Sequence, residues 1–319
     1  MDSKDLTKVQ KDREEKLKIL REKGFNYPNK FEKKDYLGEI SSKFSKSSKS
    51  SLEDKKVSIC TAGRIVLKRV MGNAAFMTLE DSSGRLQIFL SRNKLNEKLD
   101  EAKDLDLGDI IGVKGILFRT NTDELTVDLD SFELLTKSLK PMPEKHKGLT
   151  DIETIYRKRY LDLMSNPESR EVFIKRNKII KSLRTNLESN GFLEVETPMM
   201  HPIPGGANAR PFETHHNALD KKLYLRVAPE LYLKRLLVGG YEKVFEINRN
   251  FRNEGISTIH NPEFTMLEFY EAYGDLQRTV KFIQKLIQDS ILAVNDSLKI
   301  TYDQKNINFE KDFEIRSLK

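Results

Sequence analysis

The sequence predicts an α+β protein of several domains, with a small β-barrel ahead of a domain that mixes helices and strands. A length of 319 residues favours two or three domains, at ~100–200 residues each. Five short β-rich segments separated by turn signals lie within residues 57–135, where no proline occurs. After residue 150, helical patterns alternate with strand patterns. We therefore place the domain limits at 1–50, 51–140 and 141–319.

The composition describes a chain that can bury a core and shows no mark of secretion. Hydrophobic residues make up 38% of the chain, and the net charge of +7 permits a polyanionic partner without requiring one. A single cysteine, Cys60, excludes an internal disulfide framework and a zinc site built on paired cysteines. No apolar run approaches the ~20 residues of a bilayer span. Residues 1–24 lack the apolar stretch of a secretory signal, so we expect a soluble cytoplasmic protein without membrane association.

The first domain is predicted to be a helical extension followed by a linker. Residues 3–23 carry alternating charges and a narrow apolar stripe, and Gly24 follows as a stop signal. This helix is either a solvated surface helix or a basic arm that touches nucleic acid. The Ser/Lys-rich tract at 41–51 is predicted to be a mobile linker or loop, and the proline- and lysine-containing tract at 137–150 a second linker.

The second domain has the strand order of a small barrel. A helical stretch at 94–103 lies between the third and fourth strands, and Asp81-Ser82-Ser83-Gly84 is a turn signal between the second and third. Five strands in this order are typical of the OB-fold, a common binder of single-stranded nucleic acid, although other small barrels fit the strand count as well. The strands are predicted at 57–67, 76–79, 86–90, 110–118 and 125–135.

The third domain contains a cluster of chemically active side chains at a predicted strand pair. Asn166-Pro167 opens a long helix that ends at Gly191. Strand periodicity places residues 252 and 254 on one face, and the following loop returns to a second strand. A guanidinium, an imidazole, an aromatic ring and carboxylates then converge, a set that suits a nucleotide. These residues are Arg252, Glu254, His260, Phe264, Glu268 and Tyr270. The other elements are predicted as strands at 192–195, 223–227, 244–248 and 264–270, a glycine-rich loop at 204–206, and helices at 229–237 and 275–293.

Several of these segments resemble the class II aminoacyl-tRNA synthetases. Phe251-Arg252-Asn253-Glu254 with its hairpin resembles their motif 2, and residues 191–198 are similar to motif 1. The order of barrel and core is that of the lysine, aspartate and asparagine subgroup. The resemblance implies an N-terminal OB-fold anticodon-binding barrel and an incomplete class II catalytic core, an antiparallel sheet flanked by helices. Segments 159–163, 203–207, 214–217 and 228–232 resemble the bacterial class II lysyl-tRNA synthetases in particular.

The resemblance implies a role for each matching residue at an ATP site and a lysine site. Arg252 would hold the α-phosphate as the catalytic residue, Glu254 would face the adenine amine, and Phe264 would stack on the base. His260 and Asn261 would contact the phosphates or the ribose. At the lysine site, the residues would be Gly206 and Glu230 beside the α-ammonium and Glu268 and Tyr270 at the ε-ammonium.

The lysine assignment also has a physical reason. A buried cation needs a counter-charge, so a lysine pocket needs a carboxylate, whereas an aspartate pocket would need an arginine. Taken singly, Glu268 could be a solvated strand residue, Glu230 is favourable in the first turn of any helix, and Gly205-Gly206 could be an ordinary turn.

In the barrel, the resemblance implies that residues on one surface read the tRNA anticodon. Phe76 would stack on an exposed base, and Arg69 and Gln87 would supply hydrogen bonds, with Glu124 a weaker candidate. Taken alone, Phe76 is more typical of a barrel-core residue than of a stacking platform.

The third class II motif, Gly-x-Gly-x-x-x-Glu-Arg, is absent from the sequence. No glycine follows Gly274, and Arg278 and Arg316 are the only arginines after it. The expectation is a chain truncated before motif 3 that has little activity alone. The Mg²⁺ ligands would lie in the missing part, so no metal ligand is expected in this chain.

The implied function of the full-length parent is lysine–tRNA ligase, with ATP, L-lysine and tRNA(Lys) as substrates. The parent would be a homodimer whose motif 1 ends at Pro198. The alternatives are a non-catalytic tRNA-binding fragment and an aspartyl- or asparaginyl-tRNA ligase.

Overall fold

The computed structural model of the protein describes residues 7–142, 149, 151–257 and 259–316. The chain divides into two compact units, Met1–Asn166 and Pro167–Lys319. Within the described ranges, no helix has both the length and the apolar character needed to cross a membrane. The elements of the first unit are α1 (Lys8–Glu22), α2 (Leu37–Phe44), α3 (Lys49–Lys55), β1 (Ser58–Met71), β2 (Ala74–Glu80), β3 (Arg85–Ser91), α4 (Arg92–Leu95), α5 (Lys98–Asp104), β4 (Ile110–Arg119), β5 (Leu125–Thr136), α6 (Ile152–Arg157) and α7 (Arg159–Ser165).

Strands β1 to β5 close into a barrel with the order β1-β2-β3-β5-β4. All neighbouring pairs are antiparallel except β3 and β5, which run parallel. The five predicted strands are confirmed, and the predicted turn closes with a hydrogen bond from the Asp81 amide to the Gly84 carbonyl (3.0 Å). The helix predicted at 94–103 is instead the pair α4 and α5, because Asn96 between them has a φ of +48°, which a helix cannot accommodate. Alternate side chains point inward and form a core that includes Ile59, Ile65, Met77, Leu79, Ile88, Leu90, Val113, Leu117, Val127 and Leu129.

The segment before the barrel is more ordered than its composition predicts. The prediction of a loop at 41–51 is wrong, since α2 and α3 occupy most of that range. The Ser48 side chain accepts a hydrogen bond from the Ser51 amide (3.2 Å) and caps α3. Ile40 and Leu52 are 4% and 1% exposed and belong to the barrel core. Apolar residues on either side of the Ser/Lys-rich tract are thus buried in the barrel core, which the composition of the tract alone does not reveal.

Helix α1 is fastened to the chain just after the last barrel strand. Its Arg13 side chain is 7% exposed and donates hydrogen bonds to the carbonyls of Ser138 (3.2 Å) and Lys140 (2.9 Å). The Arg13 guanidinium is thus bound within the unit. Residues 1–6, which include the predicted start of this helix, and residues 143–148 and 150 of the predicted second linker lie outside the described residues.

A buried ion pair at the end of β5 should contribute strongly to the stability of the first unit. Lys137 Nζ lies 2.8 Å from Asp109 Oδ2, with side-chain exposures of 1% and 0%. We expect Lys137→Ala to lower the free energy of unfolding in urea by about 3–5 kcal/mol, because Asp109 would remain as an uncompensated buried charge. Lys94→Ala is the matched control. The Lys94 ammonium pairs with both Asp128 and Asp130 at the surface, where all three side chains remain partly exposed, and each such pair should be worth less than about 1 kcal/mol. Equal losses for the two variants would contradict this reasoning.

The second unit contains three small sheets. Its elements are α8 (Pro167–Ser189), β6 (Leu193–Glu194), β7 (Met200–His201), β8 (Glu213–His216), a 3₁₀ turn (Asn217–Leu219), β9 (Lys221–Leu225), α9 (Glu230–Val238), β10 (Lys243–Phe251), β11 (Glu263–Glu271), α10 (Leu276–Leu292), β12 (Lys299–Tyr302) and β13 (Lys305–Asn308). The predicted strand pair is confirmed as β10 and β11, and each strand is longer than predicted. The predicted strand at 192–195 is only the two residues of β6.

The sheet of order β11-β10-β6 has two chemically different faces. Glu246 lies opposite Glu268 and Asn250 lies opposite Phe264 in the β10–β11 register, so even-numbered residues of both strands share one face. The odd-numbered face packs against the long helices α8 and α10 through a core that includes Leu187, Phe192, Phe245, Phe269, Phe282 and Leu286. The even-numbered face, which is polar, therefore lies on the side of α9, the helix that contacts both strands.

Candidate nucleotide, amino-acid and RNA sites

The loop between β10 and β11 encloses a cavity of about 490 Å³. The cavity brings together all five residues predicted for the ATP site, namely Arg252, Glu254, His260, Asn261 and Phe264. The Arg252 guanidinium carbon lies 5.2 Å from the Phe264 ring centroid. Arg252 Nε is buried and has no hydrogen-bond partner among the described residues, as suits a guanidinium that meets an anionic ligand.

Arg252 and Glu254 meet at this cavity for a reason other than the one predicted. Strand β10 ends at Phe251, so the two-residue period of a strand does not extend to Glu254. Backbone hydrogen bonds shape the loop instead, from the Arg252 amide to the Pro262 carbonyl (2.9 Å) and from the Asn253 amide to the Arg210 carbonyl (2.8 Å). The cavity brings together four members of the predicted cluster, Arg252, Glu254, His260 and Phe264, but does not include Glu268 and Tyr270. The derivation of the Arg252–Glu254 proximity from strand geometry is wrong.

The residues predicted for the lysine site lie together at the other end of the same strands. The Tyr270 hydroxyl donates a hydrogen bond to Glu268 Oε2 (3.0 Å). Burial raises the pKa of Glu268 above its ordinary value, and the nearby charge of Glu230 raises it further, while the hydrogen bond from Tyr270 lowers it. The pKa of Tyr270 is also raised, first by burial and then by its bond to Glu268. Glu230, Glu268 and Tyr270 thus form an acidic, half-buried cluster of side chains, which we call the acidic pocket.

Gly206 borders this pocket and could not be replaced without strain. Its φ of +90° is unfavourable for other residues, and an added Cβ would come within 3.1 Å of the Cβ atoms of both Ala228 and Glu230. Gly206 and Glu230 are therefore close neighbours, as predicted, and the glycine is required by the close approach of the two segments.

A buried ion pair next to the acidic pocket was not among the predicted site residues. Arg226 and Glu246 are each 1% exposed, and Arg226 Nη1 lies 2.8 Å from Glu246 Oε1. The Thr197 hydroxyl donates to the other carboxylate oxygen of Glu246 (2.6 Å). Glu246 is directly opposite Glu268 in the sheet. An arginine within the apolar sequence Leu225-Arg226-Val227 was the available signal, because a charge among buried residues requires a partner.

Three of the four residues predicted to read the anticodon meet on the outside of the barrel. A surface cavity of about 410 Å³ is lined by Arg69, Phe76 and Gln87. Phe76 lies between the inward-facing Ala75 and Met77 on β2, so it is not a residue of the barrel core. Its ring centroid is 4.7 Å from that of Phe89.

The fourth predicted residue, Glu124, does not line this cavity. Its side chain is exposed, and its amide bonds to the Thr120 hydroxyl (3.1 Å) in the turn before β5. Thr120 and Thr122 line the cavity instead. No local sequence pattern points to them, because the turn reaches the cavity only when the barrel closes. Lys68 also lines the cavity, but its ammonium is held by the carbonyls of Lys103 and Leu105.

Pro198 lies between the short strands β6 and β7. Its carbonyl is 2.8 Å from Nε2 of the buried His201, and the residue before it, Thr197, bonds to Glu246. In the described part of the chain, no group of three His, Cys, Asp or Glu side chains could hold a metal ion.

Two protein-family models match this chain, one over the barrel and one over the region that follows it. A model described as tRNA synthetases class II (D, K and N) matches residues 151–318, and one described as OB-fold nucleic acid binding domain matches residues 59–135. The first match covers more than half of the chain, which therefore belongs to the class II tRNA synthetases of the D, K and N type. The predicted fold class is confirmed, with an OB-fold barrel ahead of a class II core region.

Within this class, the similar curated proteins are lysine–tRNA ligases. The chain is 52% identical over 313 residues to that of Chromobacterium violaceum, covering 98% of this chain and 62% of the relative. It is 54% identical over 310 residues to that of Legionella pneumophila strain Lens, covering 96% and 62% respectively. For that of Neisseria gonorrhoeae, the identity is 51% over 303 residues, covering 95% and 60%. The chain thus spans about three fifths of the length of these relatives.

Proposed function

We propose that this chain is the part of a lysine–tRNA ligase that carries the anticodon-binding barrel and the motif 2 platform of the catalytic core. In the proposed reaction, the lysine carboxylate attacks the α-phosphorus of ATP, and pyrophosphate leaves. The terminal ribose of tRNA(Lys) then takes the lysyl group from the adenylate and releases AMP. Neither step requires a covalent bond to the protein, so binding and orientation carry the catalysis.

The observation that carries the proposal is the acidic pocket formed by Glu268, Tyr270 and Glu230. The letters D, K and N stand for aspartate, lysine and asparagine, whose side chains are anionic, cationic and neutral respectively. A carboxylate paired only with a tyrosine hydroxyl, and with a second carboxylate nearby, stabilises a ligand ammonium and repels a ligand carboxylate. The charge of the pocket therefore favours lysine over aspartate and asparagine.

At the nucleotide end, the β10–β11 cavity supports a consistent set of roles. Arg252 would hold the α-phosphate and offset the charge that develops on it, and Glu254 would accept a hydrogen bond from the adenine amine. Phe264 offers an aromatic face to the base, which the Arg252 guanidinium now approaches to 5.2 Å, so that guanidinium would move toward the phosphate when ATP binds. His260 and Asn261 would contact the phosphates or the ribose.

The class II family uses Mg²⁺ together with ATP. The described residues provide no cluster of three side chains that would fit a protein-held ion. We therefore assign no step to Mg²⁺ in this chain.

Amino-acid binding tests the proposal directly. Isothermal titration of the 319-residue protein with L-lysine, L-aspartate and L-asparagine should give binding heat for L-lysine alone. Tighter binding of L-aspartate or L-asparagine would overturn the assignment.

Filter binding of tRNA(Lys) and of a tRNA(Lys) with an altered anticodon tests the barrel. Equal affinity for both RNAs would show that the barrel binds them by charge alone.

L-lysine binding should weaken as the pH falls. Burial raises the pKa of Glu268 above its ordinary 4.5, and only the ionised carboxylate neutralises an ammonium. The affinity for L-lysine should therefore be greatest above the raised pKa of Glu268 and should fall below it, by up to about tenfold per pH unit. Titrations from neutral pH down toward the ordinary pKa would measure this change, and Glu268→Gln should flatten the profile. A constant affinity across this range would contradict the role of Glu268.

We also propose that the protein forms a homodimer in which α8 and the segment ending at Pro198 take part. The first half of α8 exposes three consecutive apolar side chains, Val172 (62%), Phe173 (49%) and Ile174 (48%), which a monomer would leave in water. Sedimentation equilibrium would test the proposal, with a concentration-independent monomer mass as the contradicting result.

A further inference from the structure

The acidic pocket contains a lysine side chain of the protein itself, Lys234 on α9. Its Nζ lies 2.6 Å from Glu230 Oε1 and 6.0 Å from the ring centroid of Tyr270. The Lys234 ammonium therefore lies among the side chains that we assign to L-lysine, a ligand that itself has two ammonium groups. Its side chain is 54% exposed, so it can swing into water at low cost.

The carboxylates around the pocket differ in whether they already have a cationic partner. Of the three carboxylates, Glu246 is permanently neutralised by Arg226, since both are buried and 2.8 Å apart. Glu230 is neutralised by Lys234, whose side chain is half-exposed. Glu268 has a hydroxyl as its partner and no cation within 4 Å among the described residues. In the pocket without ligand, Glu268 therefore has no cationic partner among the described residues, and Glu230 has a partner, Lys234, that a ligand can displace.

We propose that Lys234 is an internal competitor for the ligand α-ammonium, so that L-lysine binds by exchanging its α-ammonium for the Lys234 ammonium at Glu230. This inference rests on the proposed function and adds a residue that determines specificity. The ε-ammonium meets Glu268 without competition, whereas the α-ammonium must displace Lys234. The exchange keeps Glu230 neutralised in both states, and it reduces the affinity gained from an α-ammonium.

An ordinary helix pair explains part of the geometry, because Glu and Lys four residues apart commonly pair on a helix surface. A surface pair of this kind would not affect which ligands bind. The competitor role predicts a change in selectivity between ligands with and without an α-ammonium, and this difference separates the two explanations.

The test compares L-lysine with 6-aminohexanoate, which keeps the carboxylate and the terminal ammonium but lacks the α-ammonium. We expect Lys234→Met to raise the preference for L-lysine over 6-aminohexanoate by about threefold to tenfold, the range of a partly exposed ion pair or slightly more. Lys234→Arg keeps a competing cation and should retain the wild-type preference. Lys285→Met removes a lysine from a similar pair with Asp289 on α10 and should change neither affinity.

The possible outcomes are distinct. An unchanged or lower preference in Lys234→Met would overturn the inference, as would equal changes in both affinities. If this variant unfolds at a lower temperature than wild type, Lys234→Gln gives the same comparison with a polar side chain. A wild-type protein that binds neither compound, or binds L-aspartate instead, would contradict the proposed function rather than the role of Lys234.

Discussion

Replacing Glu268 with glutamine should weaken L-lysine binding by about 100-fold. Glutamine has nearly the same shape and keeps an acceptor for the Tyr270 hydroxyl, which now lies 3.0 Å from the carboxylate. The substitution removes the negative charge that offsets the ligand ε-ammonium in a partly buried pocket. Loss of one partner of such a pair costs about 2–5 kcal/mol. Titration calorimetry of the variant with L-lysine would measure the loss.

The matched control is Glu271→Gln on the same strand. Glu271 is odd-numbered, lies on the opposite face of β11, and pairs with Lys243 at 3.1 Å. We expect this variant to bind L-lysine with wild-type affinity. If both variants lost affinity equally, the effect would come from the strand as a whole and not from the acidic pocket.

Replacing Phe76 with alanine should weaken binding of the tRNA(Lys) anticodon stem-loop by about 10-fold to 100-fold. An aromatic platform contributes about 1–3 kcal/mol for each base that stacks on it. Phe76 lies on the outer surface of β2 at the cavity that also contains Arg69 and Gln87. Its removal should leave the barrel core intact, since Ala75 and Met77 supply the inward contacts of this strand. Filter binding and thermal unfolding would measure the two effects separately.

Phe31→Ala serves as the control for this substitution. Phe31 is an aromatic residue of the same unit that lines a different cavity, beside Cys60 and Lys114. Its removal should leave RNA affinity unchanged at temperatures where the unit is folded. Loss of RNA binding in Phe31→Ala without loss in Phe76→Ala would show that the RNA site lies elsewhere on the barrel.

The sequence by itself determined the elements whose signals are local. The turn at 81–84, the alternation along the barrel strands and the β10–β11 pair were all predictable, because backbone propensity and side-chain period act over a few residues. The residues of the ATP and lysine sites were found because they stand in short motifs that resemble a known family. Their chemical roles remain predictions that the experiments above test.

Only the tertiary structure decided the features that depend on distant residues. Ile40 and Leu52, which flank the tract at 41–51, are buried in the barrel core. The Arg226–Glu246 pair and the approach of the Lys234 ammonium to the Tyr270 ring join segments that meet only after folding. The absence of Glu124 from the lining of the barrel-surface cavity, and the presence there of Thr120 and Thr122, likewise depend on how the barrel closes. Burial and charge pairing are properties of the folded surroundings of a residue, so a linear pattern specifies them only where the partners are neighbours in sequence.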